Sequence, residues 1–207
     1  MIAYILCALT KCISGLNVRW EGVLPEEKQR VYFANHTSHL DFMSLWAVLP
    51  GHLKEKTRPV AARDYWDKGC LRRYIARRVI HAVLINRHIS AHQTLSENPV
   101  EKMIETLDAG YSLIIFPEGT RGNGEKVQPF KSGLYHLISR RPQVEYVPVY
   151  LENLNRILPK GEFFPIPLLG SVTFGAPVVF ISDEEKTVFL ERARLAVERL
   201  GAYDDRH

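Results

Sequence analysis

The sequence predicts an α/β fold: a single domain with a mixed central β-sheet flanked by helices, preceded by an apolar N-terminal helix. Short apolar runs that favour strands alternate along the chain with segments whose apolar residues have helical spacing. With 207 residues, 46% of them hydrophobic, the chain can bury one substantial core. No linker of altered composition divides it, so we expect the helix over residues 1–16 and one domain over residues 17–207.

The order of these patterns predicts the individual elements. Apolar, β-favouring runs predict strands at 17–22, 31–35, 58–62, 82–86, 112–116, 144–150 and 171–174. Helical spacing predicts helices from the turn after 35 to about 49, over 71–79 and 99–108, after Gly133, and at the C-terminal end. Pro99 fits a first helical turn, where its missing N–H costs nothing, and Gly110 ends that helix.

The beginning of the chain carries an apolar stripe. Helical spacing places five residues on one face: Ile2, Ile5, Leu6, Leu9 and Ile13. The stretch is shorter than the roughly 20 apolar residues that a membrane-spanning helix needs. It also lacks the basic start and the cleavage site of a signal peptide. We expect it either to lie in a membrane interface or to pack on the core, because both need the same stripe.

Positive charge is concentrated in one part of the chain. The formal net charge is +4, but the segment from Lys54 to His88 holds ten Lys and Arg against three Asp and Glu, a local balance of +7. A basic patch of this kind favours an anionic partner: nucleic acid, a ligand bearing phosphate, or an acidic membrane surface. A solvated basic face is the simpler interpretation. The three cysteines show neither a disulfide framework nor metal-ligand spacing.

A histidine and a carboxylate follow the second predicted strand, in Asn35-His36-Thr37-Ser38-His39-Leu40-Asp41. A neutral imidazole beside a carboxylate is a general base with a fixed tautomer. On a regular helix, residues five apart point about 140° apart. His36 and Asp41 therefore meet only if His36 is in the loop and Asp41 in the first helical turn. Ser38 is a good N-cap and would put Asp41 at the third helical position.

Two other interpretations of this segment stay open. Ser38-x-x-Asp41 is itself a capping-box pattern, which gives Asp41 a structural role whatever the chemistry. His36, His39 and Asp41 are also three potential ligands for zinc or iron, as in a metal-dependent hydrolase. No other cluster supplies an obvious further ligand, so we expect neither a metal nor a cofactor.

The clearest strand, 112–116, ends in a second polar turn. Phe116-Pro117-Glu118-Gly119-Thr120-Arg121 presents a carboxylate, a hydroxyl and a guanidinium together. Arginine binds phosphate through a planar fork of donors, and free N–H groups of the loop add more. Lys131 and the N-terminus of the next helix would add positive potential. A Glu–Arg surface pair in a turn is the simpler interpretation.

Together, the two segments are more specific than either one alone. Asn-His-x-Ser-x-x-Asp followed by Phe-Pro-Glu-Gly-Thr-Arg resembles the glycerolipid acyltransferase family, which includes the 1-acylglycerol-3-phosphate acyltransferases. The resemblance extends over about 18–179. Leu84-Ile85-Asn86-Arg87 is similar to the family's segment that ends in a substrate-binding arginine, with Asn86 where an acidic residue is more usual. Val147-Pro148-Val149 and Phe174-Gly175-Ala176-Pro177 are similar to its later blocks.

The resemblance implies an O-acyltransferase. His36 would be the general base that takes the proton from a lysophospholipid hydroxyl, and Asp41 would orient its imidazole. The acyl donor would be acyl-CoA or acyl carrier protein, and the default acceptor 1-acylglycerol-3-phosphate, which gives phosphatidic acid. Glycerol 3-phosphate or another lysolipid is the open alternative. The acceptor's phosphate and glycerol would be bound by Arg87, Glu118, Gly119, Thr120, Arg121 and Lys131.

The resemblance also implies a place of action, because a substrate with a long acyl chain lies in a bilayer. We expect a peripheral or monotopic enzyme on the cytoplasmic face of a membrane, with the anionic membrane surface as partner and no nucleic acid. The N-terminal helix and the basic helix at 72–78 would attach it. The competing classes are the metal-dependent hydrolase and a catalytically inert protein that binds membrane surfaces.

Overall fold

Seven strands form one mixed sheet in the computed structural model, which describes residues 15–38, 41–86, 98–154 and 170–202. The strands are β1 (Asn17–Trp20), β2 (Arg30–Ala34), β3 (Thr57–Ala62), β4 (Val83–Ile85), β5 (Ser112–Ile115), β6 (Glu145–Glu152) and β7 (Ser171–Phe174). They lie in the order β1-β7-β6-β2-β5-β3-β4. Neighbouring strands are parallel except for β6 with β7. The predicted mixed sheet of a single α/β domain is confirmed.

The described helices are α1 (Asp41–Val48), α2 (Gly51–Glu55), α3 (Arg63–Trp66), α4 (Cys70–Tyr74), α5 (Pro99–Asp108), α6 (Gly133–Arg140) and α7 (Lys186–Ala202). α4 continues directly into a π-helical segment at Ile75–Val79. α2 was not predicted: the sequence indicated a stop at Pro50, whereas Pro50 is the N-cap of a further short helix. Proline suits the beginning of a helix as well as the region after one.

None of the described helices is long and apolar enough to cross a membrane. The predicted apolar helix over 1–16 falls almost entirely outside the described residues and stays a prediction.

Alternation along β2 divides the core into two parts. Tyr32 and Ala34 belong to the cluster that includes the apolar side chains of α1. Val31 and Phe33 belong to a second cluster, with side chains from α5, α6 and α7. All five residues of β2 are buried, as expected for a strand covered on both faces by helices.

The strand order brings the two polar turns together. β2 and β5 pair in parallel, with Val31 opposite Leu113 and Phe33 opposite Ile115, so both strands end at the same edge of the sheet. β3 and β4 run in the same direction and also end there. The turn that holds His36 and the turn at 116–121 therefore lie side by side, although β3 and β4 separate them along the chain.

The side chain of Asn35 links the end of β2 to β6 by hydrogen bonds. Its buried side-chain amide donates to the carbonyl of Leu151 at 2.9 Å and accepts from the Leu151 N–H at 2.8 Å. The residue before His36 is thereby tied to the neighbouring strand by two hydrogen bonds.

We expect Asn35→Ala to lower the free energy of unfolding by about 2–3 kcal/mol, because it leaves a buried N–H and a buried C=O without partners. Chemical denaturation followed by circular dichroism measures the change. Asn123→Ala is the matched control: Asn123 is exposed, and we expect a change within about 0.5 kcal/mol. Equal losses in the two variants would contradict the role assigned to Asn35.

Candidate active site

His36 and Asp41 are in contact at the carboxyl end of β2. His36 Nδ1 lies 2.8 Å from Asp41 Oδ2. The Asp41 side chain is fully buried, whereas the His36 side chain is 23% exposed. The carboxylate thus contacts the buried side of the imidazole, and part of the ring is exposed to solvent. His36 precedes α1 and Asp41 begins it, which is the arrangement that their spacing requires.

One oxygen of Asp41 contacts three successive residues of the turn before α1. Besides facing His36, Oδ2 accepts the N–H of Thr37 at 2.6 Å and the N–H of Ser38 at 2.8 Å. The bond from Ser38 is the one that a carboxylate makes in a capping box. Because the carboxylate only accepts, a neutral His36 must carry its hydrogen on Nδ1, which leaves Nε2 with a lone pair. Asp41 Oδ2 therefore accepts the capping hydrogen bond and also fixes the tautomer of His36.

Phe116 supports the other side of the imidazole. Its ring stacks on the His36 ring, with centroids 4.4 Å apart and planes 24° apart. Phe116 is the first residue of the second motif, and the sequence indicated no role for it. No spacing signal points to this contact, since it depends on the pairing of β2 with β5.

Two hydrogen bonds join the second turn to the backbone of His36. The His36 N–H donates to Glu118 Oε1 at 2.9 Å. The Gly122 N–H donates to the His36 carbonyl at 2.8 Å. These bonds, to Glu118 within the turn and from Gly122 directly after it, hold the turn at 116–121 against the His36 backbone.

Glu118 is nearly excluded from solvent. The residue is 4% exposed, and Oε2 has no hydrogen-bond partner among the described residues. Burial raises the pKa of Glu118 from its usual 4.5 to about 7, the negative charge of Asp41 adds to the rise, and the hydrogen bond from His36 opposes it. Near neutral pH the carboxyl is therefore divided between its neutral and ionised forms.

The remaining predicted ligand residues lie on the outer part of the same turn. Gly119 has a φ of +71°, and a Cβ there would lie 2.6 Å from Lys131 Nζ, so the lysine side chain extends across the glycine. The Lys131 N–H donates to the Pro117 carbonyl at 2.9 Å. Thr120 is exposed and Arg121 is half-buried. The fold thus brings two cations to one turn beside the histidine.

Two of the predicted site residues, Arg87 and His39, lie outside the described residues and stay predictions. β4 ends at Ile85, at the same edge as the site, shortly before Arg87 in the sequence. Within the described parts of the chain, no group of three or more His, Cys, Asp or Glu side chains is placed to hold a metal ion.

Comparison with known proteins points to one family. The family model described as Acyltransferase matches residues 15–152. A 1-acyl-sn-glycerol-3-phosphate acyltransferase alpha from Ovis aries is 29% identical over 154 residues, which are 73% of this chain and 50% of the relative. A 1-acyl-sn-glycerol-3-phosphate acyltransferase from Limnanthes douglasii is 27% identical over 180 residues, 86% of this chain and 60% of the relative. The chain spans about half the length of these curated relatives.

A solved structure has the same fold. It is the 1-acyl-sn-glycerophosphate (LPA) acyltransferase PlsC from Thermotoga maritima, with a TM-score of 0.73, 22% identity, and coverage of 100% of this chain and 81% of that chain. The family model extends over well more than half of the sequence and includes both turns of the candidate site. The chain therefore belongs to the Acyltransferase family.

Proposed function

We propose that this protein moves a fatty acyl group from an acyl thioester, of coenzyme A or of acyl carrier protein, to a hydroxyl of a lysophospholipid. The observation that carries the proposal is the His36–Asp41 pair held beside the Arg121 turn at one edge of the sheet. The names of the curated relatives favour 1-acylglycerol-3-phosphate as the acceptor. The product would then be phosphatidic acid.

In the proposed reaction, His36 is the general base. Nε2 takes the proton from the acceptor hydroxyl, whose oxygen attacks the carbonyl carbon of the thioester. The C–S bond breaks as the new C–O ester bond forms, and the thiolate leaves with the proton that His36 returns to it. Asp41 keeps the hydrogen on Nδ1 and stabilises the imidazolium that forms during the step.

The outer part of the turn is the proposed site for the acceptor's phosphate. Arg121 supplies a planar fork of donors and Lys131 a second cation, as phosphate recognition requires. Thr120 supplies a hydroxyl donor. The Gly119 N–H already donates to the Phe116 carbonyl at 3.0 Å, and Gly119 contributes by leaving room for the Lys131 side chain. Since the Gly122 N–H bonds to the His36 carbonyl, a phosphate held here would place the glycerol hydroxyl near the base. Accurate placement of this kind accounts for much of the rate of group transfer.

For Glu118 we propose a positioning role in place of the substrate contact that the resemblance implies. Its Oε1 already accepts from the His36 backbone, and its side chain is buried. A carboxyl in this place holds the base and the phosphate turn at a fixed separation.

The acceptor's acyl chain suggests where the protein acts. A lysophospholipid partitions into a bilayer, so we propose a peripheral or monotopic enzyme on the cytoplasmic face of a membrane. Residues 1–16 are then the proposed interface helix and residues 17–207 the proposed acyltransferase domain.

We expect His36→Ala to lower kcat by about 10²–10⁴-fold with little change in KM for either substrate, because the variant removes the base and no binding contact. Release of free thiol from an acyl thioester, dependent on added lysophospholipid, measures the rate. His136→Ala, a change of an exposed histidine on α6, should leave the rate unchanged. Undiminished turnover in His36→Ala would remove His36 from the mechanism.

Arg121→Ala should raise the KM for phosphate-bearing acceptors about 10-fold or more, because a charge-assisted hydrogen bond is lost. An acceptor panel of lysophosphatidic acid, glycerol 3-phosphate and a neutral monoacylglycerol measures the effect. Use of the neutral acceptor should change little. Lys126→Ala, at an exposed position of the same loop, is the control for charge removal. Equal losses with all three acceptors would argue against phosphate binding by Arg121.

Glu118→Gln should retain most of the activity, whereas Glu118→Ala should lose it, since glutamine keeps an oxygen that accepts the hydrogen bond from the His36 N–H.

The raised pKa of Glu118 also predicts a pH effect. The native state holds a proton more tightly than the unfolded state, so stability falls as pH rises from about 4.5 to about 7. Glu118→Gln should lack this part of the fall.

Unfolding of the wild type and of Glu118→Gln, measured from pH 4.5 to pH 8, tests this expectation. A difference in stability between the two proteins that is independent of pH would contradict it. Equal loss of activity in Glu118→Gln and Glu118→Ala would instead favour a carboxylate that binds substrate.

A further inference from the structure

The helix α4 and the π-helical segment after it leave apolar side chains uncovered. The sequence predicts one apolar stripe through 71–79, but the structure buries this segment only at Ala76 and, just beyond it, at Ile80. Leu71 is 72% exposed and Tyr74 is 49% exposed. Residues three apart lie on the same face of a helix, so these two side chains form one apolar surface.

Cations surround this apolar pair. From Arg63 to Ile80 the chain holds six Lys and Arg against two Asp. Much of the local negative charge is already engaged, because the carboxylate of Asp67 lies within 4.0 Å of Arg63, Arg73 and Arg77. Arg73 and Arg77, which face Asp67, are exposed, and the segment carries three further exposed cations, Lys68, Arg72 and Arg78.

We propose that this surface, formed by Lys68, Leu71, Arg72, Tyr74 and Arg78 and named here the 71/74 surface, docks on an anionic lipid bilayer. An apolar pair with a rim of cations combines apolar burial with attraction to acidic headgroups, the two contributions that hold interfacial helices on membranes. The inference deepens the proposed function, on which it rests in one respect: a lipid acceptor needs an enzyme at the bilayer.

A second exposed apolar patch on the same molecule differs from the 71/74 surface in the charge around it. Val179, Ile181 and Val188 are 71%, 53% and 53% exposed. Between Val179 and Arg192, however, the chain carries four acidic and two basic residues. An anionic bilayer would be repelled there, whereas the 71/74 surface attracts it.

The 71/74 surface is connected to the candidate active site through aromatic contacts. Arg72 lies over the ring of Tyr65 at 4.6 Å, and Tyr65 packs edge-on against Trp66. Trp66 in turn packs edge-on against Phe42, with ring centroids 5.5 Å apart. Phe42 follows Asp41 in the first turn of α1. A bilayer bound at this surface would therefore lie next to the elements that hold the base.

Vesicle sedimentation with the full chain tests the proposal. The probe is phosphatidylcholine vesicles with about 30% phosphatidylserine, at about 0.1 M salt. Leu71→Ser with Tyr74→Ser should weaken binding at least 10-fold, by loss of apolar burial. Lys68→Gln with Arg78→Gln should weaken it about 25-fold, at about 5-fold for each cation. The loss of binding caused by removing the two cations should be smaller at about 0.5 M salt, where surface charges are screened.

Val179→Ser with Ile181→Ser is the matched control and should bind like the wild type. All variants change exposed side chains, so their melting temperatures should agree with that of the wild type. Equal vesicle binding by the wild type and the 71/74 variants would overturn the proposal. Concentration-dependent dimers lost in the 71/74 variants, with vesicle binding unchanged, would assign the surface to a second copy and overturn it as well.

Cys70 provides a local readout, because its exposed thiol lies beside Leu71. In a Cys7→Ser/Cys12→Ser background, an environment-sensitive fluorophore on Cys70 should shift to the blue when anionic vesicles are added. The same fluorophore at Thr187→Cys, with Cys70→Ser, should not shift, because Thr187 is exposed and precedes Val188 of the second apolar patch. Equal responses at the two positions would contradict docking through the 71/74 surface.

An activity assay separates failure of the docking proposal from failure of the proposed function. The 71/74 variants should lose activity about 10-fold or more on acceptor held in anionic vesicles and keep it on a short-chain, monomeric acceptor. Loss on both acceptors would overturn the docking role, because it would place the defect in the active site. If no acceptor is used, the proposed function fails, while vesicle binding still decides the docking.

Discussion

Parallel pairing of β2 with β5 places two loops side by side, because parallel strands end at the same edge of a sheet. The first loop carries His36 and leads to Asp41 at the start of α1, and the second carries Glu118 and Arg121. The contacts of the candidate site follow from this pairing: the stack of Phe116 on the imidazole and both hydrogen bonds to the His36 backbone. A shift in this pairing would separate His36 from the turn at 116–121 without changing any residue.

Two buried carboxyl groups within the site have different environments and correspondingly different proposed roles. Asp41 Oδ2 faces three donors, and the carboxylate fixes both the start of α1 and the tautomer of His36. Glu118 accepts from a backbone N–H at one oxygen, and burial raises its pKa to about 7. The first carboxyl serves the proposed chemistry directly. The second joins the two turns by a hydrogen bond, and its raised pKa predicts that stability depends on pH.

The same edge of the sheet links the proposed chemistry to the proposed membrane surface. β3 ends at this edge and leads directly into α3, whose Trp66 contacts Phe42 beside the turn that holds His36. The 71/74 surface follows in α4. An enzyme that takes a lipid acceptor from a bilayer gains from this arrangement, since the acceptor's headgroup would reach the phosphate turn while its chain stays near the membrane.

The sequence alone determined the local parts of this protein. Apolar, β-favouring runs predicted all seven strands of the sheet in the described residues. The spacing of His36, Ser38 and Asp41 determined how the imidazole and the carboxylate meet, because helix geometry allows one solution. Strand order, the stack on Phe116, the burial of Glu118 and the exposure of Leu71 and Tyr74 were decided by the tertiary structure. Each depends on which distant segments become neighbours, and the periodicity of one segment carries no information about its partners.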